Sequence, residues 1–513
     1  MKKKLLAGIL ALALCSTNMP LQTIFAEEFT SGNPDVVSEE ETPEIFTNEE
    51  QEAVGETDEE LSVFSSEEVP EFNDAPDEAM AATENAQNGV IDLTEDANVT
   101  DGVYTINIAE DYKFTCKKSP ETSNRIVVDG TNTSEQDNIN IYLNKVNINT
   151  SAGPALRINV NVKATVTIYL TGTNNLIAKD TWYAGLYKAN KASLIITTKV
   201  LDTTAGILNA HGSSDGNGAG IGGSNITINS CSVIASSKYG AGIGGNNQGA
   251  GSKITINSAS VTARSTDGAG IGGGLNGSCR NITINSGSVT ASSTWGAGIG
   301  GGLNGSCSGI TINGGSVKAS SVSGSPTNEG KEVYCCTIEN PENANVTIKP
   351  GTGNWKPVNH SSLDPDDTNL YVWLPKLEGN STNSYLIILD PENGSESRTR
   401  NYSFDTVTNT FKAAQVVDDF IFKSPVNLTY DGQPKEASLE FKFKPTPENN
   451  RKISLVYYKG NYDDIKDTTE PLQGAPVNAG TYTVKAQIAA SESYFAHNGL
   501  ESRDWTFTIE KAP

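Results

Sequence analysis

The residues best suited to touch a ligand share one place in a repeated phrase. Gly-Ala-Gly-Ile-Gly-Gly begins at Gly218, Gly240, Gly268 and Gly296, and the residues just before it are Asn217, Tyr239, Asp267 and Trp295. An aromatic ring offers a flat apolar face with polar edges, which suits a sugar ring, and a carboxylate accepts hydrogen bonds from hydroxyls. If consecutive phrases stack as strands about 4.8 Å apart, Tyr239 and Trp295 stand roughly 9 to 10 Å apart with Asp267 between them. Each ring could then stack on one sugar of a chain, unless these are ordinary turn residues facing solvent. Trp182, Tyr183 and Tyr187 form a second aromatic group, read as an insertion between early repeats that either caps the fold or contacts ligand.

Catalytic groups are scarcer. A glycosidase needs two carboxylates roughly 5 to 10 Å apart, and between Thr203 and Asn328 only Asp215 and Asp267 are acidic. A polysaccharide lyase needs a base beside a cationic clamp, and Arg264 and Arg280 form no cluster with one. His211 has no sequence neighbour with which to share a metal. The expectation is therefore a non-enzyme without a catalytic residue or metal site, with lyase or glycosidase as the alternative. Cysteine chemistry is more definite, because Cys279 and Cys307 end the same Gly-Leu-Asn-Gly-Ser-Cys phrase in consecutive copies. Stacked strands would bring them within the Cα separation of roughly 4.4 to 6.8 Å that a disulfide tolerates. A disulfide is predicted there, with two stacked free thiols as the alternative.

The elements that position these residues follow from the spacing. Ile-Thr-Ile recurs at Ile226, Ile254, Ile282 and Ile310, and Ser-Val at Ser232, Ser260, Ser288 and Ser316, always 28 residues apart. The glycine phrase has intervals of 22, 28 and 28, so Gly223-Ser224-Asn225 of the first copy has grown by six residues in Gly245 to Lys253, Gly273 to Asn281 and Gly301 to Gly309. Each repeat within 226–321 holds three short alternating apolar runs separated by Gly, Asn and Ser, which reads as three strands and no helix. Such units bury little alone and are stabilised by stacking. The prediction is an all-β chain built on a right-handed parallel β-helix, a solenoid, over 88–350. Asn229, Asn257, Asn285 and Asn313 should form a ladder, Thr227, Thr255, Thr283 and Thr311 an outward column, and the insertions loops along one edge without strands of their own.

Met1 to Ala26 combines Lys2, Lys3 and Lys4 with an apolar core and a small residue at Ala26, the pattern of a secretory signal peptide. Glu27 to Glu84 holds 21 acidic residues and no Lys or Arg, so most of the net charge of −24 is local. The segment 27–87 is expected to stay disordered. That balance argues against a nucleic-acid partner, and no later stretch approaches the roughly 18 to 20 apolar residues of a membrane span. An extracellular location, secreted or on the cell surface, follows. Glu332 to Ile348 reads as closing strands of the solenoid, and 366–413 as a small β module.

Val166-Thr167-Ile168-Tyr169-Leu170-Thr171-Gly172-Thr173-Asn174-Asn175-Leu176, then Leu194-Ile195-Ile196, then the glycine phrases, resemble the pectin-lyase-like β-helix of bacterial carbohydrate-binding-domain surface proteins. The resemblance implies an exported, non-catalytic binder of polysaccharide or host glycans, adhesin-like, with calcium a possible cofactor and cell wall or matrix a possible partner. Leu428-Thr429-Tyr430-Asp431-Gly432, Asn478-Ala479-Gly480-Thr481-Tyr482-Thr483-Val484 and Trp505 to Ala512 resemble an MBG or YDG-type surface domain, which implies an immunoglobulin-like sandwich over 417–513. The competing function is a structural stalk presenting further domains.

Overall fold

The computed structural model describes residues 89–513 except 131, 181, 190–191, 199–205, 214, 341–343, 351–352, 356–368, 378–383, 393, 444 and 446–448. The expected signal peptide and acidic segment lie outside the described residues. The described chain is all-β, with only 3-10 turns besides strands, and its larger part is a parallel β-solenoid.

Each turn of the solenoid, a rung, lays one strand on each of three faces. The first face carries Val90–Asp92, Asp111–Thr115, Asn138–Asn144, Thr165–Thr171, Leu194–Thr198, Ile226–Asn229, Gly251–Asn257, Cys279–Ile284 and Cys307–Ile312, all parallel. The second face runs from Asn147–Thr150 to Ser316–Ala319. The third is narrow, running from Val103–Ile106 to the two-residue strands Ile221–Gly222, Ile243–Gly244, Ile271–Gly272 and Ile299–Gly300.

Register follows the repeat residue for residue. Ile226 pairs with Ile254, Ile254 with Ile282 and Ile282 with Ile310, while Val233, Val261, Val289 and Val317 form a second column. Alternation sends every other side chain inward, and Ile226, Ile228, Ile254, Ile256, Ile282 and Ile284 are fully buried. The asparagine ladder forms at the turn from first to second face. Asn257 donates to Asn229 at 2.8 Å, Asn285 to Asn257 at 2.7 Å and Asn313 to Asn285 at 2.7 Å.

The six-residue insertions differ from expectation. They do not project as free loops; they fold back over the narrow third face and stack on one another. The backbone N–H groups of Gln248 and Asn276 donate to the carbonyls of Leu275 and Leu303 at 2.7 and 2.9 Å, and Gln248, Asn276 and Asn304 each take a left-handed conformation. Glycine is required beneath them. A Cβ on Gly245 would strike the carbonyl of Gly249, and one on Gly272, which has φ +135, the carbonyl of Gly300. The last residues of each insertion also join the first-face strand, so Cys279 and Cys307 begin strands rather than sit in loops.

The boundary at 350 is corrected as well. The parallel stack ends where Thr311 pairs with Thr327, and the chain then turns antiparallel. Lys331–Glu339 pairs with Asn369–Pro375, and Asn345–Lys349 with Ser384–Asp390, around a separate core that includes Cys336, Val346, Leu370, Tyr385, Tyr402 and Phe411. The small module therefore begins at Lys331, not at 366. It seals the open end of the second face, where Trp373 Nε1 donates to the Val317 carbonyl at 2.9 Å and the Tyr371 N–H to Ser316 Oγ at 3.0 Å. Those contacts satisfy groups that the last strand would otherwise leave exposed as an edge.

A further β module follows. Phe420–Lys423 with Ser438–Phe441, and Ile453–Lys459 with Gly480–Ile488 and His497–Ile509, form two antiparallel sheets that share a core of Phe420, Leu439, Tyr457, Val484, Trp505 and Phe507. Tyr494 leaves this module to fill the core of the preceding one, donating to Glu339 Oε2 at 2.6 Å. Arg400 and Asp419 form a buried ion pair at the same joint.

Candidate functional site

The turn from second to third face carries the column that the sequence singled out. The Tyr239 N–H donates to the Gly216 carbonyl at 3.2 Å, the Asp267 N–H to the Lys238 carbonyl at 2.8 Å, and the Trp295 N–H to the Thr266 carbonyl at 2.8 Å. Asn217, Tyr239, Asp267 and Trp295 thus occupy consecutive rungs. The insertions brace them from the opposite edge of the third face: Asn247 donates its N–H to the Asn217 carbonyl at 2.8 Å, Leu275 to Tyr239 at 2.7 Å and Leu303 to Asp267 at 2.8 Å.

Trp182 joins the same column, which sequence reasoning missed. Leu186 pairs with Ile221, and counting four residues back from each, ahead of both strands, sets Trp182 level with Asn217. A Cβ on Gly218 would meet the Tyr183 backbone, as that register requires. The signal was present: Trp182-Tyr183-Ala184-Gly185-Leu186 is a variant of Trp295-Gly296-Ala297-Gly298-Ile299 with Tyr and Leu in place of Gly and Ile. The reading of Trp182 and Tyr183 as an insertion is therefore corrected, since both belong to a regular rung.

The five positions now read Trp182, Asn217, Tyr239, Asp267, Trp295, with an aromatic on every second rung and a hydrogen-bonding side chain between. At one strand spacing per rung the column spans about 19 Å. Trp182 and Trp295 are 54% and 60% exposed, and Tyr239 is half-buried. Lys238 lies beside Tyr239, its Nζ 4.9 Å from the ring centroid and 3.5 Å from Asp215 Oδ1. Its ammonium is held above the ordinary lysine range, first by the Tyr239 side chain and then by Asp215. One face of Tyr239 is thus occupied by a cation.

The edge of the second face beside this column is polar. His211 Nδ1 and Ser236 Oγ share a 2.6 Å hydrogen bond, and burial lowers the imidazole's pKa, which favours its neutral form. Arg264 lies beside Ser236 on the next rung, exposed to solvent. Asp215 and Asp267 lie in rungs separated by that of Tyr239. Among the described residues no group of three or more His, Cys, Asp and Glu side chains could hold a metal ion.

Cys279 and Cys307 are joined as a disulfide between consecutive first-face strands, with Cα atoms 4.5 Å apart. Cys116, Cys231, Cys335 and Cys336 are free thiols, and burial raises the pKa of each.

A family model described as a β-helix repeat matches residues 254–275, 282–303 and 310–325, which are the three rungs bearing or following the long insertions. No curated protein and no solved structure matches the chain. Among the described residues no helix is long and apolar enough to cross a membrane.

Proposed function

We propose that the chain binds an extended polysaccharide or host glycan lying along the solenoid axis, over Trp182, Asn217, Tyr239, Asp267 and Trp295, as an extracellular, adhesin-like binder without turnover. The observation that carries this reading is the alternation itself. Two exposed tryptophans and a tyrosine repeat every second rung, about 9 to 10 Å apart, and the positions between them are Asn and Asp, which can bond hydroxyls. A solvent-facing turn gains nothing from exposed tryptophan, whereas a sugar chain gains apolar contact at each ring. The insertions favour the same reading, because their bonds to the column carbonyls pre-organise the platform and lower the ordering cost of binding. The β-helix fold occurs in lyases as well as in non-enzymes, so the test below also reads product release.

The test is retention of the full chain on a panel of soluble and insoluble polysaccharides, run beside Trp182→Ala, Tyr239→Ala, Trp295→Ala and the triple variant. Each single change should cost about 1 kcal/mol, roughly fivefold in affinity, with the circular dichroism spectrum unchanged. Equal retention of the triple variant would leave the stalk reading in possession. Release of reducing ends or unsaturated sugars would convert the binder into an enzyme.

A further inference from the structure

The insertions meet the aromatic column through one repeated backbone bond, and the side chain each brings there differs. The N–H groups of Asn247, Leu275 and Leu303 donate to the carbonyls of Asn217, Tyr239 and Asp267 at 2.8, 2.7 and 2.8 Å. Each insertion residue therefore takes the same place beside its column residue. At the first of these rungs the two side chains close on each other, Asn247 Nδ2 donating to Asn217 Oδ1 at 2.7 Å. At the third the insertion residue is Leu303, whose side chain has no donor to offer. Lys238, whose carbonyl accepts the Asp267 N–H, gives its ammonium to Asp215 instead. Among the described residues no hydrogen bond or ion pair reaches the Asp267 carboxylate. Asp267 and Leu303 are both half-buried, so an unmet acceptor and an apolar side chain share one notch, with Tyr239 on the rung before and the exposed Trp295 on the rung after.

We propose that this notch recognises an N-acetylated sugar, the acetamido N–H donating to the Asp267 carboxylate while its methyl packs against Leu303. An acetamido group presents an N–H donor and a methyl on one short arm. A hydroxyl supplies the donor without the methyl, and a free ammonium meets the carboxylate but sets a charge against leucine. The bond to a carboxylate is charge-assisted, and partial burial strengthens it by thinning the water around it. The other braced rungs lack the combination, since Asn217 is already bonded to Asn247 and Tyr239 with Leu275 offers an aromatic and an aliphatic side chain. Tyr239 and Trp295 hold the flanking sugars, so the inference rests on the platform reading and narrows its ligand from any extended glycan to one that carries acetamido groups.

The experiment is calorimetry on the full chain with chitohexaose, its fully deacetylated form and cellohexaose, which carry an acetamido, an ammonium and a hydroxyl at the same carbon of one backbone. Chitohexaose should bind roughly tenfold or more tighter than cellohexaose. Asp267→Ala should bring that ratio to about one, and Leu303→Ser should lower it severalfold, with circular dichroism checking the fold. Should either variant fail to fold, the ratio in the unaltered chain and in Asp267→Asn, which keeps the shape and a weaker acceptor, still decides. A hyaluronan hexasaccharide that also loses affinity in Asp267→Ala assigns the group to a host-matrix glycan, and loss for chitohexaose alone assigns it to a chitin-like chain. Equal affinity for chitohexaose and cellohexaose, both weakened in the triple aromatic variant, would overturn this inference and leave the platform standing. Tightest binding of the deacetylated form would overturn it too, because a carboxylate without an apolar wall selects the ammonium. Absence of binding, or binding untouched in the triple variant, would overturn both.

Discussion

Reduction of the Cys279–Cys307 disulfide should loosen the end of the solenoid in a measurable and local way. The bond closes a 28-residue segment, one full rung. In the chain-entropy treatment a loop of that length removes about 12 cal/mol/K from the unfolded chain, or about 3.6 kcal/mol at 25 °C. Little opposes this, because the Cα separation of 4.5 Å is close to the strand spacing the ladder already imposes. Native-state hydrogen exchange is the appropriate assay, since a modular solenoid need not unfold in one step. The amides of Ile282 to Ile284 and Ile310 to Ile312 should lose up to roughly 400-fold in protection on reduction. Those of Ile139 to Leu143, five or six rungs away, should not change. Equal protection before and after reduction would refute the reasoning, as would alkylation of both cysteines before any reductant is added.

The asparagine ladder should show a position effect: Asn257→Ala breaks bonds to both Asn229 and Asn285 and should cost about 1 to 3 kcal/mol, while Asn313→Ala breaks one and should cost less, read by denaturant unfolding of each variant. Trp373→Phe keeps the aromatic packing but deletes the bond to the Val317 carbonyl, so exchange protection of Ser316 to Ala319 should fall by about 1 kcal/mol with the small module still folded. Lys188 gives a pH signature. Its folded pKa is lowered, to about 8, so the unfolded chain binds more protons between about 8 and 10.4 and stability rises with pH across that window. Lys188→Met should therefore stabilise the solenoid most below pH 8, by on the order of 3 kcal/mol, and the gain should close by about pH 10.5. A gap that does not change across that window in pH-dependent urea titrations would contradict it.

The solenoid was legible because each rung copies its neighbour: identical spacing of Ile226, Ile254, Ile282 and Ile310 dictates both the strands and their register. The cysteine pair was legible for the same reason. What escaped lay where copying is imperfect or partners are distant in sequence. Trp182 is separated from the next rung by a longer segment, and Tyr183 and Leu186 disguise the glycine phrase. Val346-Thr347-Ile348 imitates Ile-Thr-Ile, yet it pairs antiparallel with Ile387 to Leu389, some forty residues on, and periodicity carries no information about such a partner. The fold-back of the insertions was hidden too, because their glycines report close approach without naming what approaches.

The claim that matters most is that Trp182, Tyr239 and Trp295 act as one platform, and chain length tests it directly. Calorimetry with a ladder of oligosaccharides cut from the polysaccharide that the full chain retains best should show affinity rising with length until the ligand spans about 19 Å, then levelling. Trp182→Ala should reduce a long ligand to the affinity of a shorter one and leave the shortest unaffected. Affinity independent of length, or long-ligand binding unchanged in the triple variant, would contradict the account.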